Sequence, residues 1–249
     1  MGRWTQPPQP RSSLAPSGDV AGKFNFSKQA IARGEAIGLD AVSLYAAGRA
    51  SMLGGVDSEA ADALFYFFKP GIIAAVVTQG RSLASEDAIA TAHLGAADDY
   101  AEATFAAVDS ATLGAFTDAV SALVATVPWG SWLFFDGYRS APAAPTAAAR
   151  AYRAAILLRE LRFGVHSDAV KAAGLSPATA CQLNRDLDNF KRHGFTEEDM
   201  VEYTPEIEAQ KAAAEAATAM QMAALFAPLS QTQLEAIVAG THAVVAALG

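Results

Sequence analysis

Alanine-rich segments with helical spacing of apolar residues recur along most of the chain, and they constrain its fold more than any other feature. Residues 85–109, 111–127 and 206–229 are clear examples. Alanine favours the helix, and the alternation of β-branched residues that is typical of strands is almost missing. The chain is 249 residues long, enough for one large or two ordinary domains. The sequence therefore predicts an all-α, alanine-rich helical bundle.

Two segments of distinct composition divide this bundle. Residues 1–24 are rich in proline, serine and glutamine, and such a segment buries too little surface to offset the entropy of ordering. Residues 128–145 hold several prolines and glycines, with four aromatic residues within 129–135, which indicates a loop. We therefore expect a disordered tail over 1–24, an N-terminal helical domain over 25–140 and a C-terminal helical domain over 141–249.

The charge is unevenly distributed. A net charge of −8 opposes non-specific attraction of the whole molecule to DNA or to anionic membranes. Residues 150–192, however, carry eight of the 18 Lys and Arg residues and only four of the 26 Asp and Glu residues. That segment is near +4 and the rest of the chain near −12. The positive segment is therefore where we expect a partner to bind.

A helix-turn-helix pattern lies within the positive segment, at residues 167–192. A short helical stretch ends at Gly174, which supplies the positive φ that a tight turn needs. Ser176 suits the N-cap of the next helix, and Pro177 suits its first turn. The sequence predicts two helices that meet at this turn, the second of which continues towards residue 192.

The second helix would present side chains that can reach base edges, followed by cations that can meet phosphate. Asp186 and Asp188 on the same stretch would repel phosphate. An ordinary helical corner within a bundle therefore stays open as the alternative. The predicted DNA-binding residues are Thr179, Gln182, Arg185, Asn189, Lys191 and Arg192.

Two stretches of the chain resemble the SalK/EvbL-like family of actinobacterial helix-turn-helix-like proteins. They are LLRELRFGVHSDAVKAAGL at 157–175 and FYFFKPGIIAAVV at 65–77. The matching residues are Phe65, Tyr66, Phe68, Pro70, Arg159, Glu160, Arg162 and His166. The resemblance, over about residues 40–180, implies a C-terminal region similar to winged-helix regulators. Residues 194–206 are short and acidic where a wing would lie, and Leu161 stands where the family commonly has histidine, so we expect a degenerate winged-helix-like module.

A second interpretation is a small-molecule-binding protein or a cofactor-independent enzyme of specialised metabolism. The aromatic residues around the Pro70–Gly71 kink could enclose an apolar cavity. Arg159, Arg162 and His166 recur at helical spacing, so an unbroken helix would place them on one face. That face would bind an anion or would simply be solvated. A helix break at Gly164 would separate the three residues. The candidate ligand-binding residues are Phe68, Lys69, Trp129, Asp136, Tyr138, Arg159, Arg162 and His166.

Other classes of site have little support. No catalytic motif is present, and the four histidines lack metal-ligand spacing. The single Cys181 excludes an intrachain disulfide or a multi-cysteine zinc site. We expect no cofactor, no metal and no membrane segment, and a location in the cytoplasm. The expected partners are duplex DNA, an apolar small molecule and a second copy of the chain. The second copy would pack through the last two helices.

Overall fold

The computed structural model describes residues 21–184 and 186–248. Within these ranges the regular structure consists of twelve α-helices and two short 3-10 helices, with no strand, which confirms the all-α prediction. The helices are α1 (Lys28–Glu35), α2 (Ala41–Ser51), α3 (Ser58–Leu64), α4 (Ile72–Leu83), α5 (Glu86–Phe105), α6 (Ser110–Thr126), α7 (Leu133–Ser140), α8 (Ala147–Ala172), α9 (Pro177–Asn184), α10 (Leu187–Arg192), α11 (Pro205–Phe226) and α12 (Gln231–Ala247). None of them is long and apolar enough to span a bilayer.

The longest helix, α8, is the centre of the bundle. Its 26 residues pack against α5, α6 and α7 on one side and against α11 on the other. Helix α12 returns to pack along α6, and α2 lies between α4 and α5. Helices from before and after residue 140 therefore pack directly on one another.

Helix α8 runs without interruption through Gly164, so the predicted break at this glycine is wrong. The glycine is there because Trp132 packs against the helix at this point. A Cβ on residue 164 would lie 2.7 Å from the Cβ of Trp132. The indole Nε1 of Trp132 also donates to Asp168, 2.9 Å away, which holds the start of α7 against α8.

Helices α3 and α4 are separated by the segment 65–70, here called the aromatic turn. Proline at position 70 cannot continue a helix from the residues before it, and Gly71 has a φ of +91°. The carboxylate of Asp62 accepts from the backbone N–H groups of Gly71 and Ala74, at 2.9 and 3.0 Å. This carboxylate fixes the start of α4 and so the direction in which the aromatic turn leaves α3.

The N-terminal end of the described chain packs into the bundle. Residues 1–20 of the predicted tail lie outside the described ranges. Residues 21–24 are within them, and both Ala21 and Phe24 are buried. A 3-10 helix, Lys23–Phe26, follows and leads into α1. We call residues 21–26 the N-terminal cover, since they lie over α2 and α5.

Candidate functional site

The C-terminal end of α8, the turn after it and α9 form the predicted helix-turn-helix corner. Gly174 has a φ of +78°, and Leu175, the apolar residue after it, is buried. The Oγ of Ser176 accepts from the backbone N–H of Thr179 at 3.1 Å, and Pro177 is the first residue of α9. The local pattern read from the sequence is therefore confirmed at this turn.

The stretch predicted as one second helix forms two shorter ones. Helix α9 ends at Asn184, and the Oδ1 of Asp186 accepts from the N–H of Asn189 at 2.8 Å to begin α10. An N-cap of this kind marks the start of a new helix because its own backbone is extended, not helical. The prediction of a single continuous helix to residue 192 is therefore wrong, and Asp186 is the physical reason.

Thr179 and Gln182 do not lie on an exposed face. Thr179 is 7% exposed, and its hydroxyl bonds with that of Ser176 at 2.8 Å. Gln182 is 6% exposed and exchanges two hydrogen bonds of 2.9 Å with the backbone of Val201. Gln182 thereby joins the acidic segment after α10, residues 194–206, to the helix-turn-helix corner. The prediction that these two side chains project towards DNA is wrong, because both are buried and form hydrogen bonds within the protein.

The other predicted DNA-binding residues lie on or beside α10. This helix buries Phe190 and exposes Asp188, Lys191 and Arg192, while Asn189 is half-buried and donates to Asp186 at 3.1 Å. Lys191 pairs with Glu197 at 3.0 Å. Arg185 lies outside the described residues. We call the solvent-facing part of α10, Asp188, Asn189, Lys191 and Arg192, the α10 face.

Acidic residues from other elements neutralise part of the positive segment. Arg153 forms two bonds with Asp98 on α5, and Arg162 lies 3.9 Å from Glu215 on α11. Arg159 pairs with its neighbour Glu160. Among the described cations of the segment, those without a carboxylate partner are Arg150, Lys171 and Arg192. The excess of positive charge predicted for residues 150–192 is therefore smaller at the surface than in the sequence.

A group of buried charges lies in the core between α2, α5, α7 and α8. The Nη2 of Arg49 donates to the Oε2 of Glu160 at 2.6 Å, and Arg159 pairs with the other oxygen of that carboxylate. Both members of the Arg49–Glu160 pair are almost completely buried, with 2% and 0% of their side chains exposed. The guanidinium of Arg49 lies over the rings of Phe65, Phe134 and Phe163, at 4.7, 4.2 and 5.0 Å from their centroids.

The electrostatics of this group keep its ions charged. Burial is the largest influence on Arg49 and would lower its pKa, but the Glu160 carboxylate together with Tyr45 and Tyr138 outweighs burial and raises it. Burial alone would likewise raise the pKa of Glu160, yet Arg49 and Arg159 hold it below its usual value. Arg49, Glu160 and Arg159 together with the neighbouring His93 and Tyr138 form what we call the buried charge centre.

His93 and Tyr138 form the neutral part of this centre. The Nε2 of His93 lies 2.6 Å from the hydroxyl of Tyr138. The side chain of His93 packs closely against Gly48, where an added Cβ would lie 2.5 Å from its Nδ1. Burial, helped by the positive charges of Arg49 and Arg159, lowers the pKa of His93 to about 3. Burial also raises the pKa of Tyr138, so neither side chain carries charge near neutral pH.

Comparison with known proteins identifies the family through its sequence pattern. The sequence model of a helix-turn-helix family matches residues 17–198, more than two thirds of the chain and the whole of the corner formed by α8, α9 and α10. The chain belongs to this helix-turn-helix family. No curated protein and no solved structure matches the chain.

In this helix-turn-helix protein the predicted ligand-binding residues do not form one pocket. Trp129 and Asp136 both contact Arg139, whose guanidinium lies 3.5 Å from the indole centroid and 2.6 Å from the carboxylate. Phe68 packs on His193, with ring centroids 4.3 Å apart, and Lys69 pairs with Asp199 at 2.9 Å.

The remaining candidates divide between two places. His166 bonds with Thr218 on α11 at 3.0 Å, and Arg162 faces the same helix. Tyr138 and Arg159 both belong to the buried charge centre, where the positive charge of Arg159 opposes the rise in the pKa of Tyr138. The clearest surface depressions lie elsewhere, one beside Arg33 and Thr91 and one beside Leu234 and His242. The apolar cavity predicted around Phe68, Trp129 and Tyr138 is not among them.

Sequence reasoning missed Arg49 and His93. Arg49 is the one polar side chain in the stretch Ala46–Ala50, and an arginine within so apolar a helical stretch is a signal of a buried ion pair. Its partner Glu160 is 111 residues away in the chain, and no local pattern connects the two. His93 has no sequence signal that separates it from an ordinary core histidine.

The low pKa of His93 leads to a pH-dependent stability. Between about pH 6.5 and the folded value of about 3, the unfolded chain binds a proton at His93 that the folded chain does not. The free energy of unfolding should therefore fall with decreasing pH in this window, by up to about 1.4 kcal/mol per pH unit. We expect urea unfolding to show a decrease of about 2 kcal/mol from this group between pH 7.5 and 5.

The control for this prediction is His93→Gln, which keeps a polar atom towards Tyr138 but does not titrate. All other titrating groups are common to both proteins, so the difference between their pH profiles reports His93 alone. Equal pH dependence in the two proteins would contradict the assignment of a buried, neutral histidine.

Proposed function

We propose that this chain is a DNA-binding regulator that contacts duplex DNA through the α10 face. The observation that carries the proposal is the family match over residues 17–198, which spans the whole helix-turn-helix corner. Helix-turn-helix proteins dock a helix in the major groove and hold it with neighbouring cations on phosphate.

The exposure of the two helices favours α10 over α9 as the element that meets DNA. Residues 179–183 of α9 are all buried, so these five residues offer no free face to a groove. Helix α10 buries Phe190 and leaves Lys191 and Arg192 at the surface. In this proposal Thr179 and Gln182 support the corner from within, and Arg185, Asn189, Lys191 and Arg192 remain the proposed contacts.

The charges of the described residues also set how strong this binding can be. Asp186 and Asp188 are exposed beside the cations of the α10 face, and Lys191 is shared with Glu197. Only a few phosphates can therefore be neutralised. Because each phosphate contact releases counterions, binding should be modest and should weaken steeply as salt is raised.

The test is fluorescence anisotropy with a labelled duplex at low salt, comparing the wild type with Arg192→Ala. Arg192 is exposed and has no carboxylate partner among the described residues, so its loss should remove a phosphate contact with little effect on folding. We expect the dissociation constant to rise roughly fivefold and the salt dependence to become shallower by about one unit of slope.

Lys28→Ala is the matched control, since Lys28 is an exposed cation on α1, which packs on α5 and not on the corner. It changes the net charge by the same amount and should leave binding nearly unchanged. No binding by the wild type at low salt, or the same loss in both variants, would rule out the α10 face as the docking surface.

A response to a small ligand is the finer part of the proposal, and the aromatic turn supports it. At one end of this turn, the ring of Phe65 lies against Arg49 of the buried charge centre. At the other, the hydroxyl of Tyr66 donates to the carbonyl of Leu175 at 2.7 Å, and the N–H of Lys69 donates to the carbonyl of His193 at 2.9 Å. A ligand that moved the turn would therefore move both ends of the helix-turn-helix corner.

We further propose that the protein acts as a homodimer that pairs through α11 and α12. Met220 on α11 is 72% exposed and Val238 on α12 is 48% exposed, and dimers of helix-turn-helix proteins bind two half-sites. Light scattering should give the mass of two chains for the wild type and of one chain for Met220→Glu. A single-chain mass for the wild type, or no change in the variant, would rule this interface out.

The proposal also keeps three expectations from the sequence. These are the narrower resemblance to the SalK/EvbL-like family, a location in the cytoplasm with the DNA, and two units over 25–140 and 141–249.

A further inference from the structure

The buried charge centre has one positive charge more than its carboxylates balance. Arg49 and Arg159 share the single carboxylate of Glu160, and His93 and Tyr138 are neutral. The nearby Arg153 is already paired with Asp98. The Nε of Arg49 is buried and has no acceptor among the described residues. A buried group of charges with one unbalanced positive charge is costly, and a bound anion near Arg159 would offset that charge.

Arg159 is the member of the centre that can reach a ligand. Its side chain is 20% exposed, whereas Arg49 and Glu160 are enclosed. Among the described residues its guanidinium bonds only with Glu160, so its remaining N–H groups are available for a second carboxylate. Arg159 lies seven residues after Tyr152 on the continuous helix α8, and residues at this spacing share one face of a helix. Its positive charge lowers the pKa of His93 and opposes the rise in the pKa of Tyr152.

The N-terminal cover lies over the His93 side of the centre and places an aromatic ring there. The ring of Phe24 lies 5.1 Å from that of His93 and meets Tyr152 edge-on at 6.0 Å, between centroids. Phe24 is only 2% exposed. Its side chain therefore fills a slot whose walls are His93 and Tyr152, beside a cationic centre.

The two hydrogen bonds that join the described part of the cover to the hydroxyl of Tyr152 are long. The N–H of Phe24 lies 3.4 Å from the hydroxyl of Tyr152, and that hydroxyl lies 3.3 Å from the carbonyl of Ala21, both near the long limit for hydrogen bonds. The buried Oδ1 of Asn25 has no hydrogen-bond partner among the described residues. An unmet acceptor of this kind lowers the free energy needed to displace the segment.

From this geometry we propose that Phe24 occupies the binding site of a small aromatic carboxylate, which displaces the N-terminal cover. The ring of the ligand takes the slot between His93 and Tyr152, and its carboxylate pairs with the free side of Arg159. One negative charge balances the one excess positive charge of the centre. A guanidinium binds a carboxylate through charge-assisted and often bidentate hydrogen bonds, which favours an acid over the uncharged amide of the same shape.

Binding is tested without DNA, by calorimetry with phenylacetate and with phenylacetamide as its uncharged match. Phe24→Ala empties the slot, and we expect it to bind phenylacetate at least tenfold more tightly than the wild type does. We also expect about tenfold preference for phenylacetate over phenylacetamide in Phe24→Ala. An emptied apolar slot alone would bind both probes equally, and that result, or no binding of either, would overturn the proposal.

Two further variants locate the charge, each made in the Phe24→Ala protein. Arg159→Gln should abolish the preference for the acid, and Arg159→Lys should retain most of it. Preservation of the preference in Arg159→Gln would overturn the role of Arg159. If circular dichroism shows that Arg159→Gln is unfolded, Arg159→Lys provides the test. A residual preference of Arg159→Lys for phenylacetate supports the role of the positive charge at position 159, and complete loss of the preference contradicts it.

As the ligand of the proposed DNA response, this site rests on the proposed function, but the two can fail separately. Binding of phenylacetate with unchanged DNA affinity would support the proposed carboxylate site and contradict a response of DNA binding to this ligand. DNA binding through the α10 face without any binding of phenylacetate would do the reverse.

Discussion

Replacement of Glu160 with glutamine is expected to lower the free energy of unfolding by about 3–5 kcal/mol, as is typical when one member of a buried ion pair is removed. The amide has nearly the same shape, so the loss comes from the charge of Arg49, which is left buried with no carboxylate. The aromatic rings around its guanidinium contact it in the wild type as well, so they do not replace the lost carboxylate. Urea unfolding followed by circular dichroism measures the effect.

Asp99→Asn is the matched control for this prediction. Asp99 forms a two-point ion pair with Arg33, but the two side chains are 43% and 44% exposed. Exposed pairs of this kind contribute about 1 kcal/mol or less. Similar losses in Glu160→Gln and Asp99→Asn would show that burial of the Arg49–Glu160 pair has no special energetic role.

The second large effect is expected for Gly137→Ala, in the middle of α7. A Cβ at this position would collide with the carbonyl oxygen of Met52 and lie 2.7 Å from its carbonyl carbon. Backbone atoms cannot rotate away, so α7 must shift away from the end of α2. We expect a loss of about 3 kcal/mol in the free energy of unfolding, at the upper end for overpacked cores.

Gly114→Ala provides the contrast, since Gly114 is also inside a helix but its added Cβ would meet no atom within 4 Å. Alanine is the better helix former, so this variant should gain about 0.5–1 kcal/mol. Thermal unfolding of the two variants, measured side by side, tests both the expected loss of stability in Gly137→Ala and the expected gain in Gly114→Ala. A loss in Gly114→Ala as large as that in Gly137→Ala would contradict the close approach of α7 to α2.

The features that the sequence predicted correctly are those set by neighbouring residues. The turn at Gly174 and the cap at Ser176 depend on backbone conformation and on a hydrogen bond three residues along, so the local pattern was sufficient. The helical class followed in the same way from alanine content and apolar spacing.

The features that failed depend on contacts between distant segments. Gly164 reads as a helix breaker until Trp132 is found packed against it. Gln182 reads as a surface residue in the sequence. In the structure its side-chain amide donates one hydrogen bond to the backbone of Val201 and accepts another from it.

The buried charge centre shows the same limit more strongly. Arg49 and Glu160 are far apart in the chain, and the apolar stretch around Arg49 does not show which carboxylate is its partner. The ion pair exists only because α2 and α8 bring the two together in the core. In the same way, the total charge of residues 150–192 did not reveal that Asp98 and Glu215 would approach its arginines.

Hydrogen–deuterium exchange of the protein with and without a duplex at low salt tests the central claim most directly. If the α10 face docks on DNA, backbone amides of residues 186–193 should exchange more slowly in the complex, while those of α1 and α6 stay unchanged. Protection confined to α11 and α12, or a complex that leaves residues 186–193 unprotected, would contradict it.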